Sequence, residues 1–312
     1  MKLSIIIPAH NEEENIKITI EELIAIINPI SIVNEIKIHI VDDHSSDKTY
    51  ELVDQMNDPR IQCYRLSQRC GSHTALRAGL KQSKGDAALC ISADGQDDPS
   101  CLSEMLGKWS TGTNVVWALH KRRSEESWLV QKTTRLFYTV LSWLSNTESR
   151  KIDLSRANFF LLDKAVINAV NSCQERHTSL FGLIEWLGFK QDFVEYERKD
   201  RRFGKSKWSF RNRFRLAKDW IVAFSGLPLK IITIVGFFTA LSGFLYSLYI
   251  IFNAFSGNPA PGWSSIMVVV SVLAGVQMMM LGIIGEYLWR NIDESRKRPL
   301  YFVEKKTTKK NN

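Results

Sequence analysis

The residues with the most chemistry to offer are Ser92-Ala93-Asp94-Gly95-Gln96-Asp97-Asp98-Pro99, which follow directly on the apolar run Ala88-Leu89-Cys90-Ile91. An apolar run that stops abruptly at carboxylates is how an open α/β sheet presents a ligand site, at the carboxyl ends of its strands. Clustered oxygen donors there suit a hard divalent cation holding a diphosphate, because magnesium usually binds through one or two carboxylates plus substrate phosphate. Asp-Gly and Asp-Pro are also common turn formers, so taken alone the run reads equally well as a turn.

Two further polar segments follow apolar runs and are expected to converge with it: Pro8-Ala9-His10-Asn11-Glu12 and Asp42-Asp43-His44-Ser45-Ser46-Asp47. No GxGxxG follows the first run and no GxxxxGK[ST] occurs, which disfavours a dinucleotide fold and removes a P-loop. Acidic strand ends point to a cation, rather than a backbone cradle, as the group that handles phosphates. Cys63, Cys70, Cys90, Cys101 and Cys173 are odd in number without CxxC spacing. They fit a reduced cytosolic compartment and do not fit a zinc site.

The elements that must position these groups alternate. Leu3–Ile7, Ile36–Val41, Ile61–Leu66, Ala87–Ile91 and Asn114–Leu119 read as strands. Helices are expected over Glu12–Ile27, from about Asp47, and over Ser72–Gln82. Such alternation implies βαβ units and a mainly parallel sheet. Past residue 120 the texture changes. Trp128–Leu144 and Ser209–Phe224 carry apolar residues at helical spacing among basic ones. Both could pack on the sheet or lie at a membrane interface; the second is expected at the interface because it leads into a long apolar run.

That run, Ile231 to Phe252, is long enough to span a bilayer. A second extends from Trp263 to Ile284. The formal net charge of the 312 residues is +8, and it is local. Residues 201–230 hold nine Lys/Arg against Asp219, and the segment from Trp289 holds eight against three acids, so the remainder is negative. Basic outer flanks around an uncharged connecting loop are the positive-inside pattern of a two-pass hairpin with both termini cytoplasmic. The basicity therefore serves a lipid bilayer, and no nucleic-acid partner is expected. The start, Met1-Lys2-Leu3-Ser4-Ile5, enters a strand without a signal-peptide layout.

In this order and spacing the chain resembles the family 2 glycosyltransferases of GT-A fold, and within them the polyprenyl-phosphate glycosyltransferases. The matching pieces are Ile5 to Glu13, Val41 to Asp47 and Ala75-Leu76-Arg77-Ala78-Gly79-Leu80. They continue with Arg201-Arg202-Phe203-Gly204-Lys205-Ser206-Lys207-Trp208, Gly285-Glu286-Tyr287-Leu288 and Arg298 to Val303. The resemblance implies an inverting transfer of a sugar from a nucleotide sugar, UDP-linked by preference, to a polyprenyl (undecaprenyl) phosphate, for cell-surface glycan or lipopolysaccharide modification. It implies a cofactor, a divalent cation (Mg2+ or Mn2+), on Asp94 and Gln96. Pro8 and Glu12 would border the nucleotide, Asp43 would read the base, and Ser92, Arg123 and Ser206 would fall at substrate positions. Arg201 and Lys207 would join Asp94 in neutralising the departing diphosphate. Asp97 and Asp98 are expected to form a turn and a helix start.

Several positions depart from the family pattern. Ser92 stands for the first Asp of DxDxQ, Arg69 for an Asn, and His120 for an Arg, while Asn158 and Phe160 stand for the Asp and Arg of G-D-F-R. A different lipid or glycan acceptor, or a non-catalytic nucleotide-sugar binder, therefore stay open as readings. The expected organisation is an α/β GT-A nucleotide-sugar-binding domain with a mostly parallel sheet over 1–208, a juxtamembrane amphipathic helix over 209–226, a two-helix transmembrane hairpin over 227–289 and a basic cytoplasmic tail over 290–312. Two helices per chain leave lateral surface for a homo-oligomer.

Overall fold

The computed structural model describes residues 1–121, 152, 154–176, 178–197, 227–256 and 262–307. Both segments read as basic amphipathic helices, Trp128–Leu144 and Ser209–Phe224, lie outside those residues. The N-terminal part is one eight-stranded sheet in the order β7-β5-β6-β4-β1-β2-β3-β8. Its strands are β1 (Lys2–Ala9), β2 (Glu35–Asp42), β3 (Ile61–Leu66), β4 (Ala87–Cys90), β5 (Val115–His120), β6 (Ala157–Asp163), β7 (Gln191–Tyr196) and β8 (Val303–Lys306). β6 runs against β4 and β5, and β8 against β3; every other neighbouring pair is parallel. The expected mostly parallel sheet is borne out. β6, β7 and β8 extend it beyond the five strands expected.

Both faces are covered, which is why the central strands read as unbroken apolar runs rather than alternating ones. Ile5 and Ile7 point to one face, where α1 (Ile16–Ile27), α2 (Thr49–Gln55) and α4 (Leu102–Ser110) pack through Ile20, Leu23, Val53 and Met105. Ile6 points to the other, under α3 (Ser72–Gln82), α5 (Lys164–Ser172) and α6 (Leu180–Trp186). There Trp117, Phe160 and Phe181 make a three-ring cluster with centroids 5.2–5.4 Å apart. Phe160 is fully buried in it, so this departure from the family's Arg is a core residue.

Two long helices follow, α7 (Leu227–Phe255) and α8 (Trp263–Ser295). Each carries a stretch apolar enough to cross a membrane, Ile232–Ile250 and Val272–Ser295, with none of either stretch buried. Phe237, Phe244, Phe252, Met278, Met279 and Leu281 are each more than half exposed. Among the described residues these side chains are left exposed, and an apolar surface of this kind belongs in a bilayer or against another apolar surface. The pair touches at Gly236, where an added Cβ would lie 2.9 Å from Met280 Cε. The chain is thus built for membrane association.

The segment after α8 is not a free tail. Ser67 N–H donates to Phe302 O at 3.0 Å, and β8 then pairs with β3. Buried Thr307 closes the edge by exchanging bonds with Cys63: Cys63 N–H donates to its hydroxyl at 2.9 Å and its own N–H donates to Cys63 O at 3.0 Å.

Candidate active site

β1 has β2 on one side and β4 on the other, reached by connections in opposite directions. A crevice opens outside the carboxyl ends of the strands where strand order reverses in this way. The polar ends of β1, β2 and β4 all meet there. Pro8 lies in β1 opposite Val41. Beyond it Asn11 takes a left-handed backbone, φ 54°, and His44 on the neighbouring loop does the same, φ 56°. Side chains lace the two loops together. Asn11 N–H donates to Ser45 Oγ at 2.9 Å, Ser46 N–H donates to Asn11 Oδ1 at 2.8 Å, and Glu12 N–H donates to Thr49 Oγ1 at 2.9 Å. The Glu12 carboxylate accepts from Asn15 Nδ2 at 2.9 Å. Asp42, wholly buried, accepts from Ser45 N–H and from Arg65 at 2.9 Å.

Asp43 is only 4% exposed. Its two carboxylate oxygens accept from the backbone amides of Cys70 and Gly71 at 2.6 and 2.8 Å. It therefore does not cap the helix that follows it in sequence; it holds the loop that starts α3.

Beyond β4, Thr19 Oγ1 donates to Ala93 O at 3.1 Å and steadies the turn, and Gly95 supplies its positive φ, 68°. Ser92 Oγ lies 2.8 Å from Asp94 Oδ1 and 2.8 Å from Asp97 Oδ2. Gln96 N–H donates to Asp94 Oδ1 at 3.2 Å. Asp98 accepts from Ser100 N–H at the start of the following 3-10 turn, the helix-start role expected of it. Asp97 lies in the bend expected of it, but it is also 6% exposed: its Oδ1 accepts from the Tyr196 hydroxyl at 2.6 Å. Tyr196 ends β7, and its oxygen accepts from Asn158 Nδ2 at 2.7 Å.

Asn158 reaches that hydroxyl because the β5–β6 register slips. Ala118 pairs with Phe159 and Leu119 with Ala157, which leaves Asn158 as the extra residue. Such a bulge re-aims a side chain beside a site. His120 is nearby, its Nδ1 2.9 Å from Arg156 O, so that nitrogen carries the hydrogen. Sequence reasoning missed Tyr196 altogether. The inward alternation of Val194 and Tyr196 in β7 is the signal that would have found it.

Of the expected site residues, Pro8, Glu12, Asp43, Ser92, Asp94 and Gln96 all lie at the strand ends that border this crevice. Arg123, Arg201, Ser206 and Lys207 lie outside the described residues. The oxygens available on Ser92, Asp94 and Gln96 are hard donors, suited to magnesium or manganese rather than to a soft metal. Among the described residues no three His, Cys, Asp or Glu side chains come together as a ligand set. A single serine hydrogen also cannot serve two carboxylates at once, and a cation beside Ser92 and Asp94 would relieve the contact left over. The residues present therefore fit such an ion.

Residues 4–169 match the glycosyl transferase family 2 model, and residues 227–290 match the GtrB C-terminal hairpin. An uncharacterized glycosyltransferase of Synechocystis sp. is 37% identical over 306 residues, 97% of this chain and 95% of that protein. The bactoprenol glucosyl transferase of Shigella phage SfV is 32% identical over 315 residues, 99% of this chain and 100% of that one. Among solved structures, mannosyl-3-phosphoglycerate synthase from Rubrobacter xylanophilus superposes with a TM-score of 0.50 at 19% identity, over 70% of this chain and 71% of that one, and shares the fold. With a doubly covered α/β sheet, acidic strand ends at its reversal point and an apolar hairpin behind it, the chain belongs to glycosyl transferase family 2, as a GT-A glycosyltransferase.

Proposed function

We propose that this protein transfers a sugar from a nucleotide sugar, UDP-linked, to a polyprenyl phosphate such as undecaprenyl phosphate, at the cytoplasmic face of a membrane that its hairpin crosses twice. The observation that carries the reading is the conjunction, in one chain, of an acidic strand-end site with an unburied apolar hairpin. A glycosyltransferase whose acceptor is a lipid phosphate needs both. The relative called a bactoprenol glucosyl transferase covers the chain from end to end, which supports the same acceptor class.

The chemistry is a direct displacement. An oxygen of the lipid phosphate, already an anion, attacks the anomeric carbon. The bond from that carbon to the nucleoside diphosphate breaks, and the configuration inverts. No strong general base is required, so the chain's work is positioning and charge neutralisation. Pro8, Glu12 and Asp43 border the nucleoside. Asp94 and Gln96 would hold a divalent cation, which when bound supplies Lewis-acid stabilisation of the leaving diphosphate. Arg201, Ser206 and Lys207 are assigned the donor diphosphate and acceptor phosphate, and Arg123 the donor side. The domain boundaries at 208, 226 and 289 follow from the same reading, with the domain and both termini cytoplasmic.

The test is a panel of radiolabelled nucleotide sugars incubated with membranes containing the protein, followed by lipid extraction. Label from one donor should enter the lipid fraction as a sugar phosphate lipid, and Asp94→Ala should reduce transfer at least a hundredfold, the scale of losing a main electrostatic contact to the transition state. Label that enters glycan without passing through lipid would replace the acceptor; undiminished transfer by Asp94→Ala would remove the cation assignment.

A further inference from the structure

Two of the positions at which the chain departs from its family's acidic pattern, Ser92 and Asn158, are far apart in sequence yet sit at the two ends of one hydrogen-bonded chain. Asn158 Nδ2 donates to the Tyr196 oxygen, the Tyr196 hydroxyl donates to Asp97 Oδ1, and Asp97 Oδ2 lies 2.8 Å from Ser92 Oγ. The middle member is the buried carboxylate Asp97.

Hydrogen counting fixes the direction. Tyr196 has one hydroxyl hydrogen, and because Asn158 offers its own N–H to the tyrosine oxygen, that hydrogen goes to Asp97. Ser92 also has one hydrogen and two carboxylates within reach. A carboxylate as deeply buried as Asp97 gains more from a hydrogen bond than part-exposed Asp94 does, and Asp94 Oδ1 accepts from Gln96 N–H. The serine hydrogen therefore goes to Asp97, and the serine lone pairs turn toward Asp94 Oδ1. Two neighbouring oxygens around a magnesium, each about 2.1 Å from it, lie about 3 Å apart. Ser92 Oγ and Asp94 Oδ1 are 2.8 Å apart.

We infer that Asp97 is the positioning residue of the cation site: it takes the Ser92 hydrogen, so that Ser92 Oγ acts as a neutral oxygen ligand beside Asp94, and it restores from behind the negative charge missing at position 92. Tyr196 and Asn158 hold Asp97 in that role. An aspartate at 158 would offer the Tyr196 oxygen no N–H and would compete with Asp97 for the tyrosine hydrogen. The inference rests on the proposed cation site, and it concerns residues for which binding can be read without turnover.

The experiment is titration of Mn2+ into the detergent-solubilised protein, alone and with UDP, with free Mn2+ read by electron paramagnetic resonance. Asp97→Asn places an N–H donor against Ser92 and turns the serine hydrogen back onto Asp94; the Mn2+ dissociation constant should rise at least tenfold. Tyr196→Phe should raise it about threefold. Ser92→Asp in the Asp97→Asn background supplies a direct carboxylate and should bring it back to within about threefold of the parent. Unchanged Mn2+ affinity in Asp97→Asn overturns the inference, as does failure of Ser92→Asp to restore it. Should Asp97→Asn not fold, Ser92→Ala carries the test: a tenfold loss supports the inference and unchanged affinity overturns it. A parent protein that binds Mn2+ but labels no lipid with any donor would instead overturn the proposed acceptor and leave this result standing.

Discussion

His39 lies on β2, 6% exposed, with its ring 6.0 Å from that of Tyr64 and its Nδ1 without a hydrogen-bond partner among the described residues. Burial, with Lys37 and Lys306 close by, pushes its pKa down to about 4. The unfolded chain, with an ordinary histidine near 6.5, binds more protons than the folded one between those values. Stability from this residue is therefore fully present above about 6.5, is lost as pH falls toward 4, and stays lost below. The full loss is about 3 kcal/mol. Thermal unfolding of the solubilised protein at pH 7 and pH 4.5 should show a smaller drop in Tm for His39→Gln than for the parent; equal drops would assign the acid sensitivity elsewhere. The residues of the proposed site differ in how far they announce themselves. Asp43 and Asp94 were legible because each ends an apolar run with a carboxylate. The part played by Asp97 was not, because it depends on a tyrosine 99 residues away and on a register slip between β5 and β6. Neither leaves a local pattern. Asp43 shows a third case: its place was legible, but its two amide partners at 70 and 71 come from the loop after β3 and could not be read.

At the scale of elements, α3 sits so close on the sheet that Gly79 admits no side chain. A Cβ there would lie 2.2 Å from Ile6 Cγ2 and 3.3 Å from Val41 Cγ2. Glycine in a helix interior is ordinarily inferior to alanine by up to about 1 kcal/mol. Here the sign reverses: Gly79→Ala should destabilise by roughly 1–3 kcal/mol, the usual range for overpacking. Ile6 and Val41 lead within three residues to Ala9 and Asp43, so UDP binding measured by calorimetry should weaken along with Tm. A stabilised Gly79→Ala protein would mean that α3 sits further from β1. The same close packing explains which elements the sequence revealed. β1, β4 and β5 are buried on both faces, so each holds an apolar run that stops at polar residues, whereas β2 and β3 are interrupted by Lys37, Gln62 and Arg65 and read as strands through their β-branched and apolar positions. β6 is as apolar, but its strand character comes from antiparallel pairing with β4 and β5. β8 is four exposed residues, Val-Glu-Lys-Lys, and nothing local distinguishes it from a charged tail. It is a strand because the open edge of β3 and the two bonds between Thr307 and Cys63 make it one.

At the scale of the whole molecule, the hairpin and the catalytic domain are joined at more than the connection that links them in sequence. In the last turn of α8, Asp293 and Glu294 both meet Arg176, which lies between α5 and α6. The Arg176 guanidinium pairs with Asp293 at 2.9 Å and donates to Arg298 O at 2.9 Å, while its backbone N–H donates to Glu294 Oε1 at 2.7 Å. Arg77 of α3 ties the same loop down, donating to Cys173 O and, at 2.6 Å, to Glu175 O. A few residues on, Tyr301 packs against Val41, Leu66, Ala75 and Ala78, and β8 joins β3, the strand next to β2. The end of α8 and the segment after it are thus held to the α/β domain at two points, the Arg176 contacts and the β8–β3 pairing. Alignment of a bound donor with an acceptor phosphate is sensitive to displacements of about 1 Å, so loosening this joint should act on transfer and not on donor binding. Arg176→Ala removes the ion pair with Asp293 and the bond to Arg298 while leaving β8 and the strand ends in place. With a lipid-phosphate acceptor in membranes it should lower kcat about tenfold with the donor KM within twofold of the parent, and a short water-soluble acceptor phosphate should show a smaller loss. A matching rise in donor KM would mean that the joint shapes the nucleotide site itself; an unchanged kcat would mean that the domain finds its height over the membrane without Arg176.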